Sequence, residues 1–198
     1  WGMTPPADSQ DFASIIDGMQ ETIKNMGRTA VIIPYMRTKN TLLGKVFSVK
    51  DSLRRFEFFS KNLADEIETL AKNLPNKKIV IVGLSFGGSF TKETMVKIPQ
   101  NPQIYAIAVG VPFWYKTDVA SKNFLQLNNE GNDSLVEGDI WPLVQAWFKA
   151  SFKWLFAKAS GQKLSFARAI QAPGHQYLWH SPIVGPKIVA FLQNKLNH

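Results

Sequence analysis

The segment "KKIVIVGLSFGGSF", residues 77–90, joins a run of β-branched apolar residues to a serine that lies among glycines. Such a run is typical of a strand inside a parallel sheet, because both of its faces are apolar. The residues that follow Ser85 favour a short helix. The segment therefore predicts a central strand, a sharp turn at Ser85 and a helix.

Glycines stand two residues before and two residues after Ser85, at Gly83 and Gly87, and Gly88 extends the pattern G-x-S-x-G. A serine hydroxyl is a weak nucleophile and must project toward a base and a substrate carbonyl. A sharp strand-to-helix turn projects it, and this turn crowds the residues two places away. We therefore expect a side chain at Gly83 or at Gly87 to collide with its surroundings. The alternative is a plain glycine-rich turn or a phosphate cradle, but the Lys-Ser/Thr ending and the G-x-G-x-x-G spacing are both missing.

Strands and helices alternate along the chain, which predicts parallel strands joined by helical crossovers. The predicted helices cover residues 8–27, 54–74, 141–161 and 185–196, with a short one after Ser85, and the predicted strands cover residues 29–35, 77–83, 104–112, 123–127 and 164–170. The length of 198 residues suits one full-sized core, and no linker or internal repeat divides the chain. We therefore expect a single α/β domain over residues 1–198.

Composition excludes several classes of function. The chain has no cysteine, which rules out disulfides, thiolate catalysis and cysteine-ligated metals. Its net charge is +8, but the lysines and arginines are scattered and no nucleic-acid-binding motif is present, so we expect a solvated basic surface and no nucleic-acid partner. No apolar run reaches the roughly 18 residues of a membrane-spanning helix. We expect neither a cofactor nor a metal, while compartment and oligomeric state stay open.

The turn "GLSFGGS", residues 83–89, resembles the nucleophile elbow of the α/β-hydrolase superfamily. The five predicted strands and their helices follow the order of that family's later strands across nearly the whole chain. The resemblance implies a three-layer α/β fold, with a mostly parallel central sheet and helices on both faces. It also implies a serine hydrolase that cleaves a carboxylic ester or thioester through an acyl-enzyme on Ser85.

The resemblance further implies a catalytic acid and a histidine, which follow the serine in that order. His175 in "APGHQYLWHSP" stands where the family has its catalytic histidine, between the last strand and the closing helix, and we prefer it to His180. The loop "GNDSLV" is similar to the family's acid loop and favours Asp133. The other acidic residues of this region are alternatives, with Asp139 as the fallback: Glu130, Glu137 and Asp139.

An oxyanion hole of this kind takes one donor from the residue after the nucleophile, here the backbone N–H of Phe86. The resemblance implies a second N–H from the loop after an earlier strand. The start of the chain, "WGMTPP", matches that loop and makes Trp1 or Gly2 the candidate donor. On this interpretation one or more strands precede Trp1. The alternative is that these residues are a cloning or cleavage remnant.

Aromatic residues suggest where a substrate would bind. Only residues 113–122 separate two predicted strands where relatives carry a helical lid, so we expect an open site with Phe113, Trp114 and Tyr115 near its mouth. Residues 141–158 form a predicted helix rich in aromatic residues, which we interpret as a core helix whose lysines extend to water. A wall of the acyl site and contact with an anionic membrane surface are the alternatives.

These features together predict a lidless serine hydrolase that acts on a small acyl ester or thioester. A catalytically idle hydrolase scaffold, serving as a binding or membrane-associated module, is the alternative from a different class. The acyl group and the leaving group stay open at this point.

Overall fold

The computed structural model describes residues 9–36, 51, 56–98, 100–129, 132–138, 156, 160 and 174–197. Within them the helices are α1 (Gln10–Asn25), α2 (Glu57–Asn73), α3 (Phe86–Lys97), α4 (Ser134–Glu137) and α5 (Gly185–Leu196), and the strands are β1 (Ile79–Leu84), β2 (Ile104–Val109) and β3 (Phe124–Leu127). The predicted strand over residues 164–170 and nearly all of the predicted aromatic helix lie outside the described residues.

The three strands form a parallel sheet in the order β1-β2-β3. Ile79 of β1 is in register with Ile104 of β2, and Ala106 of β2 is in register with Phe124 of β3. This confirms the α/β class and the parallel pairing. The central strand of the described sheet is β2, which is buried along its whole length. We expected residues 77–83 to form a central strand, but β1 borders this sheet and is only half-buried.

Helices pack on both faces of the sheet because the side chains of β2 alternate between its two sides. One cluster joins α2 and α3 to one side of β2, and it includes Leu63, Ile67, Phe90, Ile104, Ala106 and Ala108. The other cluster joins α1 and α5 to the opposite side, and it includes Ile15, Met19, Tyr105, Ile107, Val109, Ile188 and Leu192. The described part therefore has three layers, as expected.

The prediction of a strand over residues 29–35 is wrong. Residues 28–36 form no helix or strand, and Val31 and Ile33 are 83% and 72% exposed. An apolar run becomes a strand only when a neighbouring strand satisfies its backbone groups. The described residues provide no such neighbour for this run, and Pro34 lacks the N–H that pairing needs.

Four predicted helices are confirmed, α1, α2, α3 and α5, and three of them have a boundary where the sequence signals it. Helix α1 is followed by Gly27, whose φ of 72° suits a glycine and whose N–H donates to the Lys24 carbonyl. Helix α2 ends before Pro75, and α5 begins with Gly185 and Pro186. None of the helices in the described ranges combines the length and the apolar character needed to cross a membrane.

A pair of isoleucine substitutions tests the placement of the core. We expect Ile107→Ala to lower the free energy of unfolding by about 2–5 kcal/mol, because Ile107 is 0% exposed in the middle of β2. The matched substitution Ile33→Ala should change it by less than about 0.5 kcal/mol, because Ile33 is 72% exposed. Urea unfolding followed by circular dichroism measures both. Equal losses would contradict this core and the exposure of Ile33.

Candidate active site

The site lies where the three parallel strands end, because parallel strands bring their carboxyl ends to one edge of the sheet. Ser85 follows β1, and its backbone N–H donates to the carbonyl of Val109 at the end of β2 (2.8 Å). Gly110, the residue after Val109, donates its N–H to the carbonyl of Leu127 at the end of β3 (2.8 Å). These two bonds extend the sheet past its strands and fix Ser85 against the end of β2.

Ser85 has a strained backbone. Its φ is 57° and its ψ is −120°, a conformation that residues with a side chain rarely adopt. Helix α3 starts at the next residue, Phe86, and its first helical hydrogen bond runs from Ser89 N–H to the Ser85 carbonyl (3.0 Å). The Phe86 N–H precedes that bond, so it lies in the helix N-terminal turn, where backbone amides attract negative charge. The predicted sharp turn is thus confirmed.

The two glycines that flank Ser85 behave differently. A Cβ built on Gly83 would lie 2.1 Å from the carbonyl oxygen of Gly87 and 2.5 Å from Oγ1 of Thr91. Position 83 therefore requires glycine, as predicted, because strand and helix approach each other there. The same expectation for Gly87 is wrong, since, apart from its chain neighbours and the backbone of its own helix, no described atom lies within 4 Å of a Cβ at that position.

Asp133 is a buried carboxylate with four hydrogen-bond donors. It caps the N-terminus of α4, where Oδ1 accepts from the N–H groups of Leu135 (2.9 Å) and Val136 (3.3 Å). Oδ2 lies 2.6 Å from Nδ1 of His175 and accepts a 2.6 Å hydrogen bond from the Tyr177 hydroxyl. The residue is 0% exposed. Asp133 and His175, which the sequence analysis predicts as the acid and the base of one site, are therefore in contact.

The charge state of Asp133 determines the tautomer of His175. Burial alone would raise the pKa of Asp133, but the hydrogen bonds from His175 and Tyr177, the charge interaction with His175 and the Leu135 N–H outweigh burial and lower it. The carboxyl is therefore ionised at neutral pH and can only accept hydrogen bonds. Nδ1 of His175 must carry the proton in this bond, which leaves Nε2 as the basic nitrogen of the neutral ring.

The His175 ring lies against the end of β2, next to the residue that anchors Ser85. A Cβ on Gly110 would lie 3.0 Å from Cε1 of His175 and 2.5 Å from a ring carbon of Tyr177. The side chain of His175 is 12% exposed. Because Ser85 N–H is bonded to Val109, the residue before Gly110, Ser85 and His175 border the same short stretch of backbone.

Sequence reasoning missed the role of Tyr177 in this site. Its hydroxyl donates to Asp133 and accepts from the N–H of Asn129 (3.1 Å), while its ring meets the His175 ring edge to face at 5.4 Å. The amide of Asn129 also donates to the Gly174 carbonyl (2.8 Å), which ties the loop after β3 to the segment that carries His175. One signal was available: Tyr177 stands only two residues after His175 in the sequence, and the rings of the two residues are in contact in the structure.

The three predicted substrate-binding aromatics occupy different environments. Trp114 is 41% exposed and packs on Phe86, the residue after Ser85, with ring centroids 6.0 Å apart. Phe113 packs edge to face on Trp114 at 5.0 Å. Tyr115 belongs to the core, because it is 5% exposed and stacks on Phe56 at 5.4 Å. Phe113 and Trp114 therefore suit a wall beside Ser85 better than Tyr115 does.

The remaining candidates are either exposed or lie outside the described residues. His180 and Glu137 are exposed. Trp1, Gly2, Glu130 and Asp139 lie outside the described residues, so the second oxyanion donor and the fallback acid stay predictions. In the part of the chain that the structure describes, no three potential metal ligands group together.

Comparison of the chain with protein-family models, with curated proteins and with solved structures finds no match in any of the three. The case for a function therefore rests on the geometry of Ser85, Asp133 and His175 and on the chemistry of these side chains.

The two flanking glycines offer a matched test of the turn. We expect Gly83→Ala to destabilise the fold by about 1–3 kcal/mol or more, because the new methyl group would overlap the Gly87 carbonyl. Gly87→Ala should be neutral or stabilising by up to about 1 kcal/mol, because alanine favours a helix and the described residues leave space for the methyl. Thermal and urea unfolding measure both. A destabilised Gly87→Ala with an unaffected Gly83→Ala would contradict the geometry of the turn.

Acid unfolding tests the buried carboxylate. Because folding lowers the pKa of Asp133 below its ordinary value of 3.8, its ionised form stabilises the fold above about pH 4, and this stabilisation is lost as pH falls through the folded-state pKa. Asp133→Asn should lower the free energy of unfolding by about 1–3 kcal/mol at pH 7. Urea unfolding from pH 7 to pH 3 should show that difference shrinking below about pH 4. A difference that stays constant over this range would contradict the ionised, hydrogen-bonded carboxylate.

Proposed function

We propose that this chain is a serine hydrolase of the α/β-hydrolase type, which cleaves a carboxylic ester or a thioester through an acyl-enzyme. Ser85 is the nucleophile, His175 the general base and Asp133 the acid that orients the base. The observation that carries the proposal is the 2.6 Å hydrogen bond between buried Asp133 and His175, at the sheet edge where Ser85 has its strained turn. An ionised acid, a histidine and a projecting serine are the parts that acyl transfer needs.

In the first half of the reaction, Oγ of Ser85 attacks the substrate carbonyl while Nε2 of His175 takes the hydroxyl proton. Asp133 stabilises the imidazolium that forms, because its ionised Oδ2 already accepts from Nδ1. The proton then passes from Nε2 to the leaving alkoxide or thiolate, and the bond from the acyl carbon to the leaving group breaks. The product is an acyl group esterified to Ser85.

In the second half, His175 takes a proton from water, and the resulting hydroxide attacks the acyl carbon. The bond to Ser85 breaks, and His175 returns the proton to the serine oxygen. In both halves the oxyanion accepts from the Phe86 N–H, which lies in the N-terminal turn of α3. A second donor from Trp1 or Gly2 is part of the proposal and rests on the sequence pattern alone.

The acyl group is proposed to be apolar or aromatic. Trp114 is partly exposed and packs on Phe86 immediately after the nucleophile, with Phe113 against it. Aromatic side chains supply a large apolar surface to a ligand. Esters and thioesters present the same carbonyl to Ser85, so an assay with both series and with acyl chains of graded length would rank them.

A fluorophosphonate probe tests the proposal directly, because it phosphonylates only a serine that a neighbouring base has activated. We expect the wild-type chain to label and Ser85→Ala to lose all labelling. His175→Gln should reduce labelling at least about 1,000-fold, since the base that removes the hydroxyl proton is lost. Labelling is read by gel fluorescence and the modified residue by peptide mass spectrometry.

Matched controls separate loss of chemistry from loss of fold. Ser60→Ala removes a buried serine hydroxyl in α2, which donates to the Phe56 carbonyl, and His180→Gln removes an exposed histidine. Both should label like the wild type. A folded wild-type chain that never labels would contradict the hydrolase and favour an idle scaffold, and labelling that survives in Ser85→Ala would move the nucleophile elsewhere.

A further inference from the structure

One carboxylate oxygen receives two side-chain donors at the candidate site. Oδ2 of Asp133 lies 2.6 Å from Nδ1 of His175 and 2.6 Å from the hydroxyl of Tyr177. Hydrogen bonds to an ionised carboxylate are short and strong, and each withdraws charge from the oxygen that accepts it. The strength with which Asp133 stabilises a charged His175 therefore depends on Tyr177.

The position of Tyr177 is tightly determined. The residue is 1% exposed, and its hydroxyl also accepts the Asn129 N–H at 3.1 Å. Its ring carbon comes within 2.5 Å of where a Cβ on Gly110 would lie, so that only glycine fits between the ring and the end of β2. The ring is also packed edge to face on His175. A phenol enclosed in this way keeps its hydroxyl on Asp133.

Burial, followed by the hydrogen bond and the charge of Asp133, raises the pKa of Tyr177 far above its ordinary value. Tyr177 thus stays a neutral donor over the whole range in which a hydrolase works. It acts on Asp133 as a fixed dipole and does not titrate with the substrate reaction.

We propose that Tyr177 is a positioning residue of the catalytic machinery, which holds Oδ2 of Asp133 toward His175 and takes part of its negative charge. This inference rests on the proposed function, because it concerns how strongly the acid supports the base. It extends the functional set from Ser85, His175 and Asp133 to a fourth side chain.

The effect of the Tyr177 hydroxyl on the charge of Asp133 has a sign that can be measured. Among the described residues, the titratable groups that face Asp133 are His175 and Tyr177, and Glu137 adds a further negative charge that acts on Tyr177. Without the tyrosine hydroxyl, Asp133 carries more charge and binds the imidazolium more strongly. We therefore expect loss of this hydroxyl to move the acidic limb of the pH–rate profile to higher pH.

The experiment compares Tyr177→Phe with Tyr105→Phe. Tyr105 is the matched control, because it is 5% exposed, packs in the same core cluster and donates its hydroxyl to the Pro102 carbonyl at 2.6 Å, at the opposite end of β2. The second-order rate constant of fluorophosphonate labelling is measured from pH 5 to pH 9. We expect Tyr177→Phe to lower it about 10-fold at pH 7 and to move the acidic limb to higher pH, and Tyr105→Phe to do neither.

A second variant covers the case in which Tyr177→Phe fails to fold. Site-specific 3-fluorotyrosine at position 177 keeps the ring and the hydroxyl but is a stronger donor, so the acidic limb should move to lower pH. An acidic limb that is unmoved in every folded variant would overturn the inference while leaving the hydrolase in place. A wild-type chain that never labels would instead overturn the proposed function, and the inference with it, so the two failures are distinct.

Discussion

The buried carboxylate of Asp133 is the interaction on which the arrangement of the site depends. Removing a charge from water costs several kcal/mol unless hydrogen bonds replace the lost solvation. Here the replacement comes from two backbone amides of α4 and from the side chains of His175 and Tyr177. Donors 42 and 44 residues away along the chain must therefore reach one carboxyl group. Satisfying this charge brings the His175 segment to the end of the sheet.

Close backbone approach makes this convergence possible. A Cβ on Gly174 would overlap the Asn132 carbonyl, and a Cβ on Gly110 would meet both His175 and Tyr177. On the serine side, Gly83 lets strand β1 and helix α3 approach within contact distance. Each of these glycines lacks a side chain at a point where two segments of the site approach each other closely. The short distances at the site thus depend on glycines in the segments that surround the candidate catalytic residues.

Predictions from the sequence pattern were correct where the signal lies within one segment, and wrong where the outcome depends on a segment that is distant in the sequence but adjacent in space. The periodicity of α1, α2 and α5 and the apolar runs of β1, β2 and β3 predicted these elements, because each signal is complete within one segment. The run over residues 29–35 has the same apolar composition but forms no strand among the described residues. Gly87 likewise fits the motif, yet no described atom crowds it. Pairing and crowding depend on residues that are distant along the chain, so composition cannot establish them.

Local sequence was enough to predict the α/β alternation and the sharp turn at Ser85, because the turn needs only glycine spacing and an adjoining strand. The choice of Asp133 and His175 as partners came from the resemblance of their loops to those of the α/β-hydrolase superfamily, since order along the chain alone left other acidic residues and His180 as alternatives. Folding in three dimensions decided which oxygen of Asp133 His175 contacts, that Tyr177 shares this oxygen, and that Trp114 packs on Phe86, the residue after the serine, while Tyr115 is buried. These outcomes depend on distances of a few ångströms between segments far apart in the sequence, and such distances follow from packing rather than from pattern.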